Sequence, residues 1–563
     1  MTRRPSRRVG ARRKDPRADQ AASPGRLRRL CQRRSFQAGL LFSLLLFTYL
    51  ANGEILPGQD ATVSVRLAGK LVTQRKLVFT PEEDPFMFVW SLKTPKGIKS
   101  ASFRSWQSPY EGEPIRRSYE RGELSQPTPI YHLIPTRFSG VYVNKYGPGA
   151  GIFAVPFVAA VYPFTPHLYD GPSAAVLWHA TKVAAAAAVA GSAVFLFLAA
   201  LAFVRPSTAA GLALAYGLGT CVWSSSSQAL WQHGPAELFL ALGTFLLLRP
   251  NRSRSAPWVG LAYALAFACR PTAALAIAAA GFYYLVSDRR ALLGLASGCL
   301  PVAVLLSAYN VHYFGKLVML GQLSDVADKS RAVTLGAGQA AGAMASTSLA
   351  FGTSLWVGLT GISVSPSRGL LIFSPAVVFL FWGLVRAWRD RTFAALRPVA
   401  VAALAMCFVA GRWCIWWGGW SYGYRLLVDA VTLLAFFAIP VAEEIRRRRI
   451  LLVTCAACVA WGVLVQVVGA FAYDVTSWND RAFIQVNLPG SAPRLFTDLT
   501  EARQHALAGP GSMEEVHLDV NSGQGQHRLW SIRDSQILYY LEHFLEARRS
   551  KRATAEQFLR SQG

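Results

Sequence analysis

Asp60 stands nine residues beyond the first apolar run, in Leu56-Pro57-Gly58-Gln59-Asp60. Gly and Pro there are expected to form an extended turn that holds the carboxylate close to the membrane surface. A second acidic group, Glu82-Glu83-Asp84, follows an amphipathic segment from Thr62 to Phe79. These two groups are the candidate acids, and solvated surface is the bland alternative for each. The candidate cations are Lys145, which opens Lys145-Tyr146-Gly147-Pro148-Gly149 and is placed to meet an anion, Arg270, fixed in a tight turn by Pro271, and Arg425.

Other polar residues gather with them. Ser224 to Ser227 precede Gln228, Trp231, Gln232, His233 and Glu237 at the start of one apolar run, and Asn310 and His312 lie near the end of another. Trp416, Trp417, Trp420, Ser421, Tyr422, Arg425 and Asp429 form a loop and the beginning of the next run. Each has an ordinary explanation. The tryptophans could be an interfacial belt, His233 could bond a neighbouring helix with Glu237 one turn below it, and Arg270 and Lys145 could snorkel. Arg425 and Asp429, spaced i, i+4, could pair with each other. Such residues are costly inside or at the ends of membrane runs, and these fall toward one side. A polar, Arg-lined cavity open to that side is the simplest explanation.

The elements that must position them are helices in a bilayer. Of 563 residues, 52% are hydrophobic and 16% charged, against about 25% charged in a soluble protein. A soluble globular enzyme, a fibrous protein and a disordered one are excluded. The apolar runs are 35–51, 175–203, 207–223, 228–248, 256–268, 271–286, 291–314, 369–386, 397–412, 424–442 and 450–472. The fold class is therefore all-α and polytopic, with about eleven transmembrane helices. A further apolar stretch, Gly147 to Phe164, is broken by Pro148, Pro156 and Pro163.

Charge orients the chain. Of the net +27, residues 1–34 hold a net +11, a cytoplasmic topology determinant rather than a nucleic-acid module. With the N-terminus inside and 147–164 not spanning, the short inner loops carry 14 arginines and the short outer loops only Arg270 and Arg425. A spanning 147–164 would invert the bias, so the positive-inside rule favours eleven spans with the C-terminus outside. The domains are then a basic cytoplasmic tail (1–34), a transmembrane domain (35–472) with extracytoplasmic loops 52–174 and 315–368, and a small extracytoplasmic C-terminal domain (473–563). The polar regions contain no cysteine beyond Cys31 in the tail and Cys414 just past one run, so disulfides are not expected to hold them together. Cys455 and Cys458 form a C-x-x-C inside a helix, where packing is the expected role.

Several strings together resemble a family. They are Val143-Asn144-Lys145-Tyr146-Gly147-Pro148-Gly149, Trp231-Gln232-His233-Gly234-Pro235, Arg368-Gly369-Leu370-Leu371-Ile372-Phe373-Ser374-Pro375, Trp416-Trp417-Gly418-Gly419-Trp420-Ser421-Tyr422-Gly423-Tyr424-Arg425, and Arg528-Leu529-Trp530-Ser531-Ile532-Arg533-Asp534-Ser535-Gln536. With a first span followed by a large loop bearing a membrane-proximal acid, the chain from about residue 38 to 540 resembles the GT-C superfamily of membrane glycosyltransferases. The nearest likeness is to its bacterial dolichyl-phosphate-mannose and protein O-mannosyltransferase-like (family 39-like) members.

The resemblance implies a transferase that moves a monosaccharide from an outward-facing polyprenyl-phosphate donor to an envelope acceptor hydroxyl, with inversion, at a bacterial inner membrane. The acceptor is a lipid, a glycan or a protein, and no nucleic-acid partner is implied. Asp60 then serves as general base, with Glu83 or Asp84 assisting or binding the acceptor. Lys145, Arg270 and Arg425 stabilise the leaving phosphodiester. Tyr146 and His233 contact phosphate or sugar, and Trp420 and Tyr422 stack on or line the sugar site. Many members carry two acids at the first loop, whereas Gln59 precedes Asp60 here. No other acid is clearly placed to hold a metal, so neither metal nor cofactor is expected. Two readings from other classes stay open: a transporter or flippase for a lipid-linked sugar or small solute, and a non-catalytic envelope-assembly protein.

Overall fold

The structure, a computed structural model, describes residues 24–57, 59–94, 97–102, 128–130, 132–165, 167–169, 173–321, 351–489, 493–496, 499–507, 512–523 and 525–560, without the side chains of 24–33, 59, 85 and 89–128. The basic tail up to residue 23 and much of segment 315–368 lie outside the described residues.

Helices form where the apolar runs stand. In chain order they are α1 (Pro24–Leu50), α2 (Gln59–Gln74), α3 (Gly149–Val161), α4 (Ala174–Ala200), α5 (Pro206–Gly219), α6 (His233–Leu247), α7 (Arg252–Cys269), α8 (Ala274–Ser287) and α9 (Arg289–Phe314). They continue as α10 (Leu355–Val364), α11 (Val377–Arg389), α12 (Arg397–Arg412), α13 (Val428–Ala435), α14 (Ile439–Arg447) and α15 (Arg449–Ala472), with α16 (Leu499–Ala506), α17 (Gln536–Glu542) and α18 (Phe544–Arg560) after them. Among the described residues five helical stretches are long and apolar enough to cross a membrane: Ala174–Ala200, Arg289–Phe314, Arg391–Arg412, Arg425–Arg447 and Arg449–Ala472.

The shorter helices are cut by local chemistry. Pro206 starts α5, and the chain leaves it through a π-turn, Val222–Ser226, so the run 207–223 does not form one continuous helix. Asp288 separates α8 from α9 by accepting from the backbone N–H of Arg290 and Ala291 at 3.0 and 3.2 Å, the usual N-cap. Packing depends on small residues where backbones approach closely. A Cβ on Gly298 would lie 1.8 Å from the Pro257 carbonyl oxygen, and one on Gly260 2.1 Å from that of Leu295, which is how α7 and α9 come into contact.

The segment from Gly147 onward proves to be one helix, α3, with Pro156 inside it, ending in a 3-10 turn at Tyr162–Phe164. Its prolines therefore do not break it as the sequence suggests. Pro148 is the N-cap of the helix and Pro163 stands at the start of the 3-10 turn that follows it, positions where a missing N–H costs little, and packing on α2 and α4 supports the helix across Pro156. The chain is mostly helical, as expected, and strands are few. Among the described residues three small antiparallel sheets sit in the polar regions: β2-β1-β3, with β1 Phe88–Thr94, β2 Gly97–Ser102 and β3 Thr128–Pro129, the hairpin of β4 (Leu133–Pro135) and β5 (Tyr142–Asn144), and β7-β6-β8, with β6 Asp480–Asn487, β7 Arg494–Phe496 and β8 Ser512–Asp519. The last sheet, with α16 to α18, makes up the described C-terminal region, and α17 and α18 pack on α15.

The two ends of the bundle differ. Asn52, just past α1, bonds Gln228 and the Ala470 carbonyl near the end of α15, both at 2.7 Å. At the other end arginines pair with two adjacent glutamates: Arg386 and Arg448 with Glu444 at 2.5 and 2.9 Å, and Arg446 with Glu443 at 2.8 Å.

Candidate active site

The site begins at the start of α2. Asp60 occupies the first helical turn rather than an extended turn, where a carboxylate is favoured by the unsatisfied N–H groups of the helix. The β4–β5 hairpin delivers two further groups. Leu133 pairs with Asn144, and the Lys145 N–H donates to the His132 carbonyl at 3.0 Å, so the residues flanking both strands emerge side by side. From there the Tyr146 hydroxyl donates to Asp60 Oδ1 at 2.9 Å, and His132 Nδ1 lies 3.6 Å from the same oxygen.

Arg425 arrives from the opposite side. It closes the loop Trp416–Arg425, whose Gly418, Gly419 and Gly423 have φ of +78°, +66° and +59°, a backbone that side-chain-bearing residues rarely adopt. Arg425 Nη1 lies 3.0 Å from Asp60 Oδ2, and Nη2 donates to the Gly418 carbonyl at 2.9 Å. Its guanidinium lies 4.5 Å from the centre of the Trp231 ring. Arg425 Nε and Trp231 Nε1 are buried without a hydrogen-bond partner among the described residues. Burial alone would push the Asp60 carboxyl upward, but Arg425 first, then His132 and the Tyr146 hydroxyl, outweigh it and hold the group below its ordinary value. Asp60 is thus an ionised carboxylate at neutral pH.

A second ion pair lies beside the first. Arg270, in the break between α7 and the turn Pro271–Ala273, sets Nε 2.9 Å from Asp429 Oδ2. His233, the first residue of α6, sets Nδ1 3.3 Å from Asp429 Oδ1 and also touches Arg270. Thr272 completes the group with a hydroxyl 3.3 Å from Asp429 Oδ2. Arg270 and His233 lie within electrostatic reach of Arg425. Two pairings that the sequence leaves open as ordinary explanations do not form. Arg425 and Asp429 do not pair with each other, because a 3-10 turn at Arg425–Leu427 precedes the α-helix that holds Asp429 and changes the angular phase between them. Glu237 does not serve His233. It accepts from the Ser226 hydroxyl at 2.5 Å.

An apolar groove of about 430 Å³ opens beside these pairs. α7, α8 and α9 wall it through Phe267, Ala268, Ala278 and Ala303, and Lys145 and Tyr146 form part of one boundary. Lys145 is buried there.

The remaining candidates stand elsewhere. Asp84 is fully buried, bound by the Lys70 ammonium, the Tyr169 hydroxyl and the Thr80 N–H. Glu83 pairs with Lys76 and with Lys70, the latter at 3.0 Å, and hydrogen bonds from Lys76 and then Lys70 hold its carboxyl below the ordinary value. These carboxylates tie the end of α2 to the segment after it, and the structure does not bring them to Asp60. Trp420 donates through Nε1 to Asp519 at 2.7 Å, and Tyr422 is enclosed, its hydroxyl bonding the Val465 carbonyl at 2.8 Å. Tyr422 packs against Phe373, Tyr473 and Tyr540.

Sequence reasoning did not single out His132 or Thr272, and it placed Trp231 among the residues gathered at the start of one apolar run without giving it a role. The hairpin that presents His132 carries a readable signal, since Ser139-Gly140 separates two short apolar strands and Gly140 has φ +71°. The seven described cysteines, Cys455 and Cys458 among them, are free thiols. Among the described residues no three His, Cys, Asp or Glu side chains come together as a metal site would require. Compared with protein-family models and with curated proteins, the chain matches none.

Proposed function

We propose that this protein is a membrane glycosyltransferase that moves a monosaccharide from a polyprenyl-phosphate donor to an acceptor hydroxyl at the outer face of a bacterial inner membrane. The carrying observation is the Asp60–Arg425 pair, a carboxylate and a guanidinium 3.0 Å apart at the end of the bundle opposite the paired arginines. That asymmetry fits eleven spans with the N-terminus inside and the site outside, as the positive-inside rule would arrange them.

In this reading the acceptor hydroxyl gives its proton to Asp60 as its oxygen bonds to the anomeric carbon. The bond from that carbon to the phosphate oxygen breaks, the electron pair leaves with polyprenyl phosphate, and the anomeric configuration inverts. Arg425 has a double duty. Before the donor binds it neutralises Asp60. When a phosphate enters, its unpartnered Nε and its Nη groups can turn to the phosphate oxygens, which loosens the hold on Asp60 and makes it a stronger base. Lys145 meets the phosphate from the groove side, and the groove takes the first isoprene units of the tail. Arg270, already matched by Asp429, adds fixed positive charge nearby.

The test is transfer by purified, reconstituted protein supplied with a panel of radiolabelled polyprenyl-phosphate sugars and a crude envelope acceptor. Label moving from at least one donor supports the reading. Binding of none of the donors would favour a transporter of other solutes or an assembly scaffold.

A further inference from the structure

Two of the sequence strings described above, one beginning at Arg368 and the other ending at Gln536, have no part in the proposed chemistry, yet they meet directly behind the Arg425 loop. Arg368 is buried and donates to the Trp417 carbonyl at 3.0 Å, the Gly419 carbonyl at 3.3 Å and Gln536 Oε1 at 2.6 Å. Gln536, also fully buried, donates to the Ser421 carbonyl at 2.9 Å and accepts from the Gly423 N–H at 3.0 Å. Ser365 and Ser367 bond the Leu529 and Arg528 carbonyls at 2.6 and 3.4 Å, which docks the C-terminal string on residues 365–368.

The loop held in this way needs holding. Three of its glycines adopt left-handed backbone, and glycine has the most conformational freedom to lose on folding. The carbonyls of Trp417, Gly419 and Ser421 and the N–H of Gly423 are each fixed by Arg368 or Gln536, and Arg425 follows two residues later. Its Nη2 returns to the Gly418 carbonyl, inside the same fixed stretch. The C-terminal region adds a second hold, with Asn521 and Asp519 accepting from the indoles of Trp417 and Trp420 at 3.0 and 2.7 Å.

We infer that Arg368 and Gln536 are positioning residues for Arg425: the C-terminal region sets the loop that places the guanidinium against Asp60, and is thereby a working part of the site. The inference rests on the proposed transferase reading for its kinetic consequences, but not for its structural ones. Among the described residues Gln536 and Asp60 share no hydrogen-bond partner, so coupling between them must pass through the loop and Arg425.

The experiment uses the full-length protein with Gln536→Leu, Gln536→Glu, Asp60→Asn and the Gln536→Leu/Asp60→Asn double variant. Thermal unfolding is recorded for all, and the pH profile of transfer for the two Gln536 variants. The Gln536→Glu side chain keeps an acceptor for the Gly423 N–H and for Arg368, whereas that of Gln536→Leu keeps none. The expected result is an acid limb of kcat/KM moved upward in Gln536→Leu and unmoved in Gln536→Glu, with Tm losses in the double variant smaller than the sum of the single ones. An unmoved limb in a folded Gln536→Leu protein, with additive Tm losses, would reduce Gln536 to a brace and overturn the inference. Should the wild type transfer no sugar, the transferase reading fails and the Tm cycle alone decides: non-additive losses support the coupling and additive losses refute it. If Gln536→Leu does not fold, Arg368→Lys is read by the same criteria.

Discussion

The Asp60 carboxylate and the Arg425 guanidinium, 3.0 Å apart, join the first turn of α2 to the end of a glycine-rich loop far along the chain. Their side chains are 25% and 11% exposed, whereas Asp429 in the neighbouring pair is only 3% exposed. The two arginines are about equally exposed, so the pairs differ in their carboxylates, and Asp60 is the more open to a substrate. On the proposed reading, that difference favours Asp60 over Asp429 as the base, with Arg270 supplying charge nearby.

Removing the partner should change both rate and pH dependence. Arg425→Gln is expected to lower transfer by about 10²–10³-fold, the usual cost of losing one charge-stabilising donor. It should also return Asp60 toward an ordinary carboxyl value of about 4, moving the acid limb of the rate profile upward. Arg425→Lys should recover only part of the rate, because an ammonium cannot serve Asp60, the Gly418 carbonyl and the Trp231 face together.

The same depressed carboxyl contributes to stability. A group whose folded value lies below its unfolded one stabilises fully above the unfolded value, about 4 for Asp, and that contribution is lost as pH falls through the folded value. Asp60→Asn should therefore flatten the acid side of the Tm-against-pH curve of the detergent-solubilised protein. Tyr146→Phe, which removes a 2.9 Å hydrogen bond to the carboxylate, should shift that limb upward. An acid limb identical in all three proteins would place Asp60 in solvent.

Asp84 is expected to matter for folding and not for transfer. Asp84→Asn leaves the buried Lys70 ammonium with Glu83, at 3.0 Å, as its charged partner, so the loss of stability should stay below about 3–5 kcal/mol, the cost of an uncompensated buried charge. The folded fraction should transfer at close to the wild-type rate per molecule, measured after normalising to monodisperse protein. Loss of transfer in protein of unchanged Tm would move the base to this cluster.

The groove should govern the donor and leave the acceptor alone. Ala303→Trp fills part of the space between α8 and α9 and is expected to raise the donor KM about tenfold or more, the effect of losing about 1.4 kcal/mol of binding. The acceptor KM should stay unchanged. Short-chain donors should lose less than long-chain ones, since the blocked space serves the tail.

The helical class was legible in the sequence because apolar helices long enough to cross a membrane declare themselves by length and composition. The segregation of Asp60, Lys145, Arg270 and Arg425 followed from the cost of charge at the ends of apolar runs. What stayed hidden was which charge meets which. The i, i+4 spacing of Arg425 and Asp429 invites a local pair, and only the 3-10 turn between them sends each to a distant partner. His132 was missed because its place depends on a three-residue strand pairing, too short to show periodicity, and only the turn residues Ser139-Gly140 mark that hairpin. Tyr422 carried an aromatic signature suited to a sugar, yet its ring is closed in by other aromatics. Asp84 looked like surface because the lysine that buries it, Lys70, lies 14 residues earlier on α2.

The most direct test of the central claim is sugar transfer by reconstituted wild type and Asp60→Asn, with donor binding measured on the same preparations. Donor binding is expected to persist in the variant while transfer falls by about 10²–10⁴-fold, the range a general base supplies. Transfer at the wild-type rate by a folded, donor-binding Asp60→Asn protein would contradict it.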